Sequence, residues 1–215
     1  MDITKQGHAC LTLTEGGRSL LIDPGVFTES IGSTDGIDGV VITHEHVDHW
    51  SVDHLRGVLG ANPGIPIYTT PGVAGQLGEL ADLARITEID HDQVVECGGF
   101  SLRFTSGLHA LIHSSLPQPQ NLGVMVNDAF YYGGDSYLLP DRAVETLAIP
   151  ISAPWLKVGE LFDYMEQVKP TTCINTPDSL LSDRGFGLLK TMVGAACERI
   201  GSTYSPLTPG DELSV

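Results

Sequence analysis

Short apolar runs separated by turn residues open the chain. Residues 9–14 alternate between apolar and polar side chains, the pattern of a half-buried strand, and residues 15–17 form a glycine-rich turn. A second apolar run at residues 19–22 ends at the Asp-Pro-Gly sequence of residues 23–25. A third run, residues 39–43, is typical of a buried strand and leads directly into a group of histidines. The start of the chain is therefore predicted to be built from β-strands.

Helical and strand patterns alternate over the rest of the chain. Helices are predicted from about Ser51, after Pro71, and at about 140–147, 158–168 and 180–200. Further strands are predicted at about 65–69, in short pieces over 85–105, in a hairpin over 122–132 and at about 171–174. Because the strands form two groups, each followed by helices, the pattern predicts an α/β (α+β) fold with two sheets covered by helices.

Length and composition limit the kind of protein this is. The 215 residues contain no internal repeat and no linker rich in proline, glycine or serine, so we expect a single domain over residues 1–215. No stretch reaches the roughly 20 apolar residues that span a bilayer, and the N-terminus has no basic segment followed by an apolar run. The four cysteines are far apart, which disfavours a thiolate zinc site and suits reduced thiols. These features predict a cytoplasmic protein that binds no membrane.

The chain is strongly acidic. Its net charge of −16, from 27 acidic and 11 basic residues, repels the phosphate backbone of nucleic acids. No stripe of lysine and arginine overcomes that repulsion. We therefore expect a small-molecule substrate and no nucleic-acid partner, while assembly into a homo-oligomer stays open.

Three of the eight histidines fall within Thr43-His44-Glu45-His46-Val47-Asp48-His49, directly after the third apolar run. His44 and His46 are two residues apart, so in extended backbone their imidazoles face the same side. Asp48 and His49 follow where the strand gives way to a loop. Imidazoles and a carboxylate are good ligands for zinc, iron or manganese. A solvated polar turn would not need this combination at the end of a buried strand, so the cluster predicts a metal centre.

The cluster resembles the signature of the metallo-β-lactamase superfamily, which is His-x-His-x-Asp-His after a strand. Three further segments follow the superfamily's order, namely Ile22-Asp23-Pro24-Gly25, Gly107-Leu108-His109-Ala110 and Gly133-Gly134-Asp135-Ser136. Residues 7–10 and 109–113 are most similar to the small bacterial branch near L-ascorbate-6-phosphate lactonase. The resemblance covers nearly the whole chain and implies a four-layer αβ/βα sandwich, with two mixed β-sheets flanked by helices and metals at the sheet edges.

The same resemblance implies the metal ligands. His44, His46 and His109 would hold one metal. Asp48 and His49 would hold a second metal, and Asp135 would touch both. Three imidazoles with an open position suit a catalytic rather than a structural site. The expected cofactor is zinc, as one or two ions, and manganese or iron also suits these ligands.

One ligand that the resemblance implies is missing. The superfamily supplies a further histidine to the second metal late in the chain, but no histidine follows His113, and Pro177 stands at that position. Asp178 or Asn175 could supply an oxygen ligand instead, although Asp178 could equally cap the following helix. Three protein ligands would still remain, which suffices for a catalytic centre completed by water. We expect a weakly occupied second metal position rather than an empty one.

The sequence allows more than one interpretation of several residues around the cluster. Asp23 could hydrogen-bond a ligand histidine and select its tautomer, or it could form an ordinary Asp-Pro-Gly turn. His113 could act as an acid or bind substrate, or it could simply be exposed. His8 lies ahead of a strand and could reach the cleft. Trp155 could form a wall of the cleft or pack in the core.

These residues predict a metal-dependent hydrolase. A metal ion lowers the pKa of bound water to about 7, which makes hydroxide available to attack a small-molecule ester, lactone or phosphoester. The candidate catalytic residues are Asp48, Asp135 and His113, and the resemblance implies that Asp48 both binds metal and carries a proton. The alternative is a catalytically weakened metal-binding protein of the same fold with a sensing or scaffold role, which the missing late histidine would explain.

Overall fold

The computed structural model describes residues 1–215, which form two seven-stranded β-sheets with helices on their outer faces. The strands are β1 (Asp2–Lys5), β2 (Leu11–Glu15), β3 (Arg18–Ile22), β4 (Ile37–Ile42), β5 (Pro66–Thr69), β6 (Arg85–Glu88), β7 (Gln93–Cys97), β8 (Phe100–Leu108), β9 (Gln120–Val126), β10 (Phe130–Tyr132), β11 (Thr146–Ile149), β12 (Thr172–Asn175), β13 (Thr203–Tyr204) and β14 (Glu212–Ser214). The α-helices are α1 (Val52–Ala61), α2 (Pro71–Ala74), α3 (Val158–Val168) and α4 (Asp183–Ile200).

Both sheets are mixed, with an antiparallel part and a parallel part. The first has the order β14-β1-β2-β3-β4-β5-β6, and its strands from β3 to β6 are parallel. The second has the order β13-β12-β11-β10-β9-β8-β7, and its strands from β10 to β13 are parallel. Because parallel strands end at the same edge, the loops that follow β3 and β4 lie side by side, as do those that follow β10 and β12.

Alternate residues of β4 show how the layers are built. Val41 faces the other sheet and belongs to a core that both sheets share, whereas Val40 and Ile42 face outward beneath Leu55 and Leu59 of α1. A matching outer core lies between the second sheet and helices α3 and α4. This period-two division of one strand between two cores produces helix, sheet, sheet and helix layers. The prediction of a four-layer sandwich with two mixed sheets is confirmed.

The predicted helix at 140–147 is wrong. Residues 140–145 form bends and irregular structure, and Thr146–Ile149 form β11, a fully buried strand between β10 and β12. A parallel strand buried on both faces is apolar throughout, and four residues are too few for periodicity to separate strand from helix. The helix after Pro71 is present but only four residues long. None of the four α-helices has the length and apolar character needed to cross a membrane.

The last helix begins later than predicted. α4 starts at Asp183, and the Ser182 side chain caps it by accepting a hydrogen bond from the Gly185 N–H. The alternative that Asp178 caps this helix is therefore wrong. A serine at the cap suits the rule that short hydroxyl and carboxylate side chains satisfy the first free N–H groups of a helix.

Candidate metal centre

Four strand ends deliver the predicted ligands to one place. Asp23 directly follows β3, and the segment His44–His49 follows β4. From the second sheet, His109 follows β8 and Asp135 follows β10. The backbone joins the two halves, because the Leu122 N–H donates to the Thr43 carbonyl. The ligands therefore come from both sheets and meet at the edge between them.

His44, His46 and His109 form what we call the first metal position. One donor nitrogen of each lies within 4.8 Å of the others. The His44 Nε2 and His46 Nδ1 atoms are 3.2 Å apart, and the His109 ring centroid lies 4.6 Å from that of His46. Three imidazoles that converge in this way offer three neutral nitrogen ligands and leave the remaining positions around a metal open.

Asp48, His49 and Asp135 form what we call the second metal position. The His49 Nε2 atom lies 3.9 Å from Asp48 Oδ2 and 3.4 Å from Asp135 Oδ1. The other oxygen of Asp135, Oδ2, lies 3.5 Å from His109 Nε2 in the first metal position. One oxygen of Asp135 thus faces each position, which is the arrangement that a bridging carboxylate requires.

Hydrogen bonds at Nδ1 direct the Nε2 atoms of three of the four predicted ligand histidines inward, whereas His46 presents Nδ1 to His44 Nε2. The Nδ1 atom of His49 lies 2.7 Å from the Asp23 carboxylate, and that of His109 lies 2.6 Å from the Ala110 carbonyl. Since these oxygens only accept, each Nδ1 carries the proton. The Thr43 hydroxyl donates to Asp23, so its oxygen accepts from His44 Nδ1 at 3.0 Å. All three rings therefore direct Nε2 at the metal positions.

Three buried polar atoms at this centre have no hydrogen-bond partner in the protein: His49 Nε2, His109 Nε2 and Asp135 Oδ1. Buried polar atoms are nearly always paired, because leaving one unpaired costs about 1–3 kcal/mol. All three atoms belong to the predicted ligand set and face one another across the two positions. Imidazole nitrogen and carboxylate oxygen are ligands for zinc, manganese or iron, so the residues present fit a metal.

The charges around the centre favour a bound cation. Burial alone raises the pKa of Asp135, but the neighbouring His49 and His109 hold it well below its usual range. Burial alone lowers the pKa of His49, but the Asp135 and Asp23 carboxylates hold it well above its usual range. For His44, burial and then the charge of His49 hold the pKa well below its usual range. The centre therefore keeps Asp135 ionised and stabilises positive charge at His49, whereas burial disfavours positive charge at His44.

The structure resolves the two readings of Asp23 and of Trp155. Asp23 is fully buried and accepts from the Thr43 N–H and hydroxyl as well as from His49, so it orients a ligand. The Trp155 indole N–H donates to Asp135 Oδ2 at 2.9 Å, and its ring meets His109 edge to face at 6.0 Å. Trp155 therefore packs against the predicted ligands and holds the carboxylate of Asp135.

His113 has no contact with the cluster. It is exposed, and its Nδ1 atom pairs with the Ser115 hydroxyl and backbone N–H within the same turn. Its assignment as an acid stays a prediction. His8, in contrast, is 2% exposed and places Nε2 3.2 Å from Asp48 Oδ2. The structure therefore brings His8, rather than His113, to the ligands.

The segment after β12 supplies no ligand from Asn175 or Asp178. Asn175 Nδ2 donates to Asp178 and to the Leu207 carbonyl, and Asn175 Oδ1 accepts from the Leu207 N–H. Asp178 forms an ion pair with the buried Lys5, whose Nζ lies 3.2 Å away. The suggestion that either residue replaces the missing histidine is therefore not supported, since both are used to hold the chain together.

Sequence reasoning missed Thr43 and Ser179. The Thr43 hydroxyl links Asp23 to His44, and the Ser179 backbone N–H and hydroxyl donate to His8 Nδ1. A hydroxyl residue directly before the first histidine was a signal that could have identified Thr43. No comparable signal existed for Ser179, because its partner lies 171 residues away along the chain.

Comparison with known proteins gives a consistent result. Residues 18–151 match the family model described as "Beta-lactamase superfamily domain", which is more than half of the chain. Protein Rv0786c of Mycobacterium tuberculosis is 31% identical over 87% of this chain and 89% of its own length. A UPF0173 metal-dependent hydrolase of Chelativorans sp. is 29% identical over 67% of each chain.

A solved structure supports the fold independently. Igni18, a metallo hydrolase from the archaeon Ignicoccus hospitalis, superposes with a TM-score of 0.74, covering 99% of this chain and 97% of its own. Its sequence identity of 15% is low, so the likeness concerns the arrangement of strands and helices alone.

Proposed function

The chain belongs to the metallo-β-lactamase superfamily and is a metal-dependent hydrolase, and from this premise we propose that it cleaves a small molecule at an ester, lactone or phosphoester bond. The observation that carries the proposal is that three buried atoms able to bind a metal, on His49, His109 and Asp135, have no hydrogen-bond partner in the protein. They converge where a cation of the proposed kind, zinc, manganese or iron, would bind.

The chain's own residues are assigned to distinct tasks in this reaction. A metal ion bound there would supply a nucleophile at neutral pH by lowering the pKa of water. Asp135 joins the two positions, while the Trp155 indole N–H holds one of its oxygens in place. Asp48 is half-buried at the second metal position and is the candidate to carry a proton during the reaction. Trp155 and Tyr137 pack edge to face at 5.2 Å and close one side of the centre.

A cavity beside the centre supports a small substrate. It has a volume of about 440 Å³, within the range of small-molecule sites. None of the six predicted metal ligands lines it, and it adjoins the centre through His8, which lines the cavity and contacts Asp48. Phe27 and Phe186 contribute apolar surface to its wall. The acidic residues on the wall are Glu29, Asp178 and Asp183, and no lysine or arginine lines it.

This wall favours some members of the substrate class over others. Asp178 is paired with the buried Lys5, but Glu29 and Asp183 have no basic partner. These two carboxylates repel an anion, so within the proposed class a neutral ester or lactone is preferred over a phosphoester. The resemblance of residues 7–10 and 109–113 to the lactonase branch adds a further reason to include lactones. We also propose that the reaction takes place in the cytoplasm and that the protein acts on neither nucleic acid nor a membrane.

A hydrolysis panel tests the proposal. Protein loaded separately with zinc, manganese or iron would be assayed on a neutral aryl ester, an uncharged lactone and a phosphodiester, with Asp135→Asn as the inactive control. We expect turnover of the ester or lactone with a kcat/KM above that for the phosphodiester. Absence of turnover on the whole panel, or equal turnover by Asp135→Asn, would contradict the proposal.

A further inference from the structure

His8 lies in a tightly held turn between β1 and β2. Its backbone carbonyl accepts from the Lys5 ammonium group at 2.7 Å and from the Thr176 hydroxyl at 2.8 Å. Its ring packs edge to face on Phe27, with centroids 5.2 Å apart. Because both the backbone and the ring are restrained, the direction of the two ring nitrogens is defined by the fold.

The partner of Nδ1 selects the tautomer of His8. The Ser179 backbone N–H lies 3.0 Å from Nδ1 and can only donate, so Nδ1 must offer its lone pair. The Ser179 hydroxyl lies 2.7 Å from the same atom and donates as well. A neutral ring that accepts at Nδ1 carries its proton on Nε2. That Nε2 atom faces Asp48 Oδ2 at 3.2 Å, where the N–H can donate to the carboxylate.

This tautomer is the opposite of that in three of the four predicted ligand histidines. His44, His49 and His109 meet an acceptor at Nδ1, namely a hydroxyl oxygen, a carboxylate and a carbonyl, which leaves Nε2 free for a metal. His8 meets a backbone donor instead. Its donor atom lies within 4.8 Å of those of Asp48 and His49, so distance alone would count it as a fourth ligand. A protonated Nε2 cannot bind a metal.

We propose that His8 is a positioning residue that donates its Nε2–H to Asp48 and holds this carboxylate at the second metal position, without itself binding metal. The segment after β12 takes part in this arrangement. It carries proline where the resemblance implies a histidine, and it provides Ser179 to select the tautomer and Thr176 to hold the turn. The second position then keeps three protein ligands and an open place for water or substrate. The inference rests on the metal centre of the proposed function but not on the substrate.

Nitrogen NMR on the full-length protein tests the tautomer directly. Protein with ¹⁵N-labelled histidine rings would be studied metal-free and loaded with ¹¹³Cd²⁺, with His8→Gln used to assign the His8 signals. We expect a protonated Nε2 and an unprotonated Nδ1 at His8, with no cadmium coupling to its ring. Coupling between cadmium and His8 Nε2, or a proton on Nδ1, would overturn the proposal. This readout does not depend on turnover, so it stays decisive if the hydrolysis panel fails.

Measurements of metal affinity are a second way to distinguish a His8 that positions Asp48 from a His8 that binds the metal. His8→Ala is expected to weaken the second zinc about 10–100-fold, the usual cost of removing a hydrogen bond to a ligand, and to leave the first unchanged. His8→Gln retains an N–H donor and should recover most of the affinity. His91→Ala is the matched control, because this histidine is exposed and contacts Asp90 away from the centre, and it should leave both metal affinities unchanged. Equal losses in His8→Gln and His8→Ala would contradict the donor role.

Discussion

The two metal positions differ in where their ligands find support. At the first position, His44 pairs with the adjacent Thr43, and His109 pairs with the adjacent Ala110 carbonyl. At the second position, His49 pairs with Asp23, 26 residues away, and Asp48 pairs with His8, 40 residues away. Direct support for the first position therefore comes from neighbours in sequence, and the distant Asp23 acts there only through Thr43. The second position depends directly on correct packing of distant segments. Substitutions at a distance should weaken the second position selectively.

Asp135→Asn is expected to have the largest effect, because this residue serves both positions. Replacing one oxygen by an amide nitrogen removes a ligand and places a donor against an inward-facing Nε2 atom. We expect metal content to fall at both positions and kcat/KM to fall about 10³-fold or more. Metal analysis after dialysis, combined with the hydrolysis assay, measures both changes. Loss of only one metal would show that Asp135 does not bridge.

Asp23→Asn should separate the two positions. The amide cannot replace the carboxylate that accepts from His49 Nδ1, so affinity at the second position should fall about 10–100-fold. Affinity at the first position should fall less, because Asp23 reaches His44 only through the Thr43 hydroxyl. Titration with zinc, followed by calorimetry, resolves the two affinities. Asp163→Asn on exposed helix α3 is the matched control for loss of one negative charge. An equal decrease in zinc affinity at both positions would contradict the difference in how their ligands are supported.

Lys5→Met tests the network beneath His8. Burial lowers the pKa of Lys5 to about 8, and the Asp178 carboxylate offsets only part of that effect. Loss of this buried partner should lower the free energy of unfolding at pH 7.5 by about 3 kcal/mol. Since an unfolded lysine has a pKa of about 10.4, the unfolded chain binds more protons between pH 8 and 10.4.

The sign of the pH dependence follows from that difference. The stability of the unsubstituted protein should rise relative to Lys5→Met as pH increases through this window, by at most about 1.4 kcal/mol per pH unit. Below pH 8 the lysine is charged in both states, so the difference between the two proteins should be constant. Urea unfolding at pH 7.0, 8.5 and 9.5 measures it. If the difference in free energy of unfolding between the two proteins decreased as the pH rises, a lowered pKa for Lys5 would be excluded.

Trp155→Phe should have the smallest effect. Phenylalanine keeps an aromatic wall against His109 but removes the N–H that donates to Asp135 Oδ2. Loss of one hydrogen bond to a charged group should reduce kcat/KM about 3–10-fold, with little change in metal content. Tyr137→Phe is a suitable comparison, because its hydroxyl has no hydrogen-bond partner in the protein. A decrease as large as that of Asp135→Asn would assign Trp155 a larger role.

The predictions that succeeded rest on local patterns. The α3 helix has the predicted bounds of 158–168, because its apolar positions repeat with the helical period over eleven residues. The prediction of β4 and of the histidines after it also rests on a local pattern, because a strand end and its loop are adjacent in sequence. The failure at 140–147 also has a local cause, because β11 has only four residues and no measurable period.

The sequence by itself determined the class of fold, the location of the metal centre and the residue types that approach it. Only the tertiary structure decided which atoms of those residues face the metals. Asp23 meets His49, His8 meets Asp48 and Trp155 meets Asp135 through contacts between strands and loops far apart in the chain. Periodicity and motif spacing describe neighbours along the chain, whereas a tautomer depends on which donor or acceptor the packed fold places beside a ring nitrogen. For this reason the proton that distinguishes His8 from the ligand histidines became apparent only from the contact with Ser179.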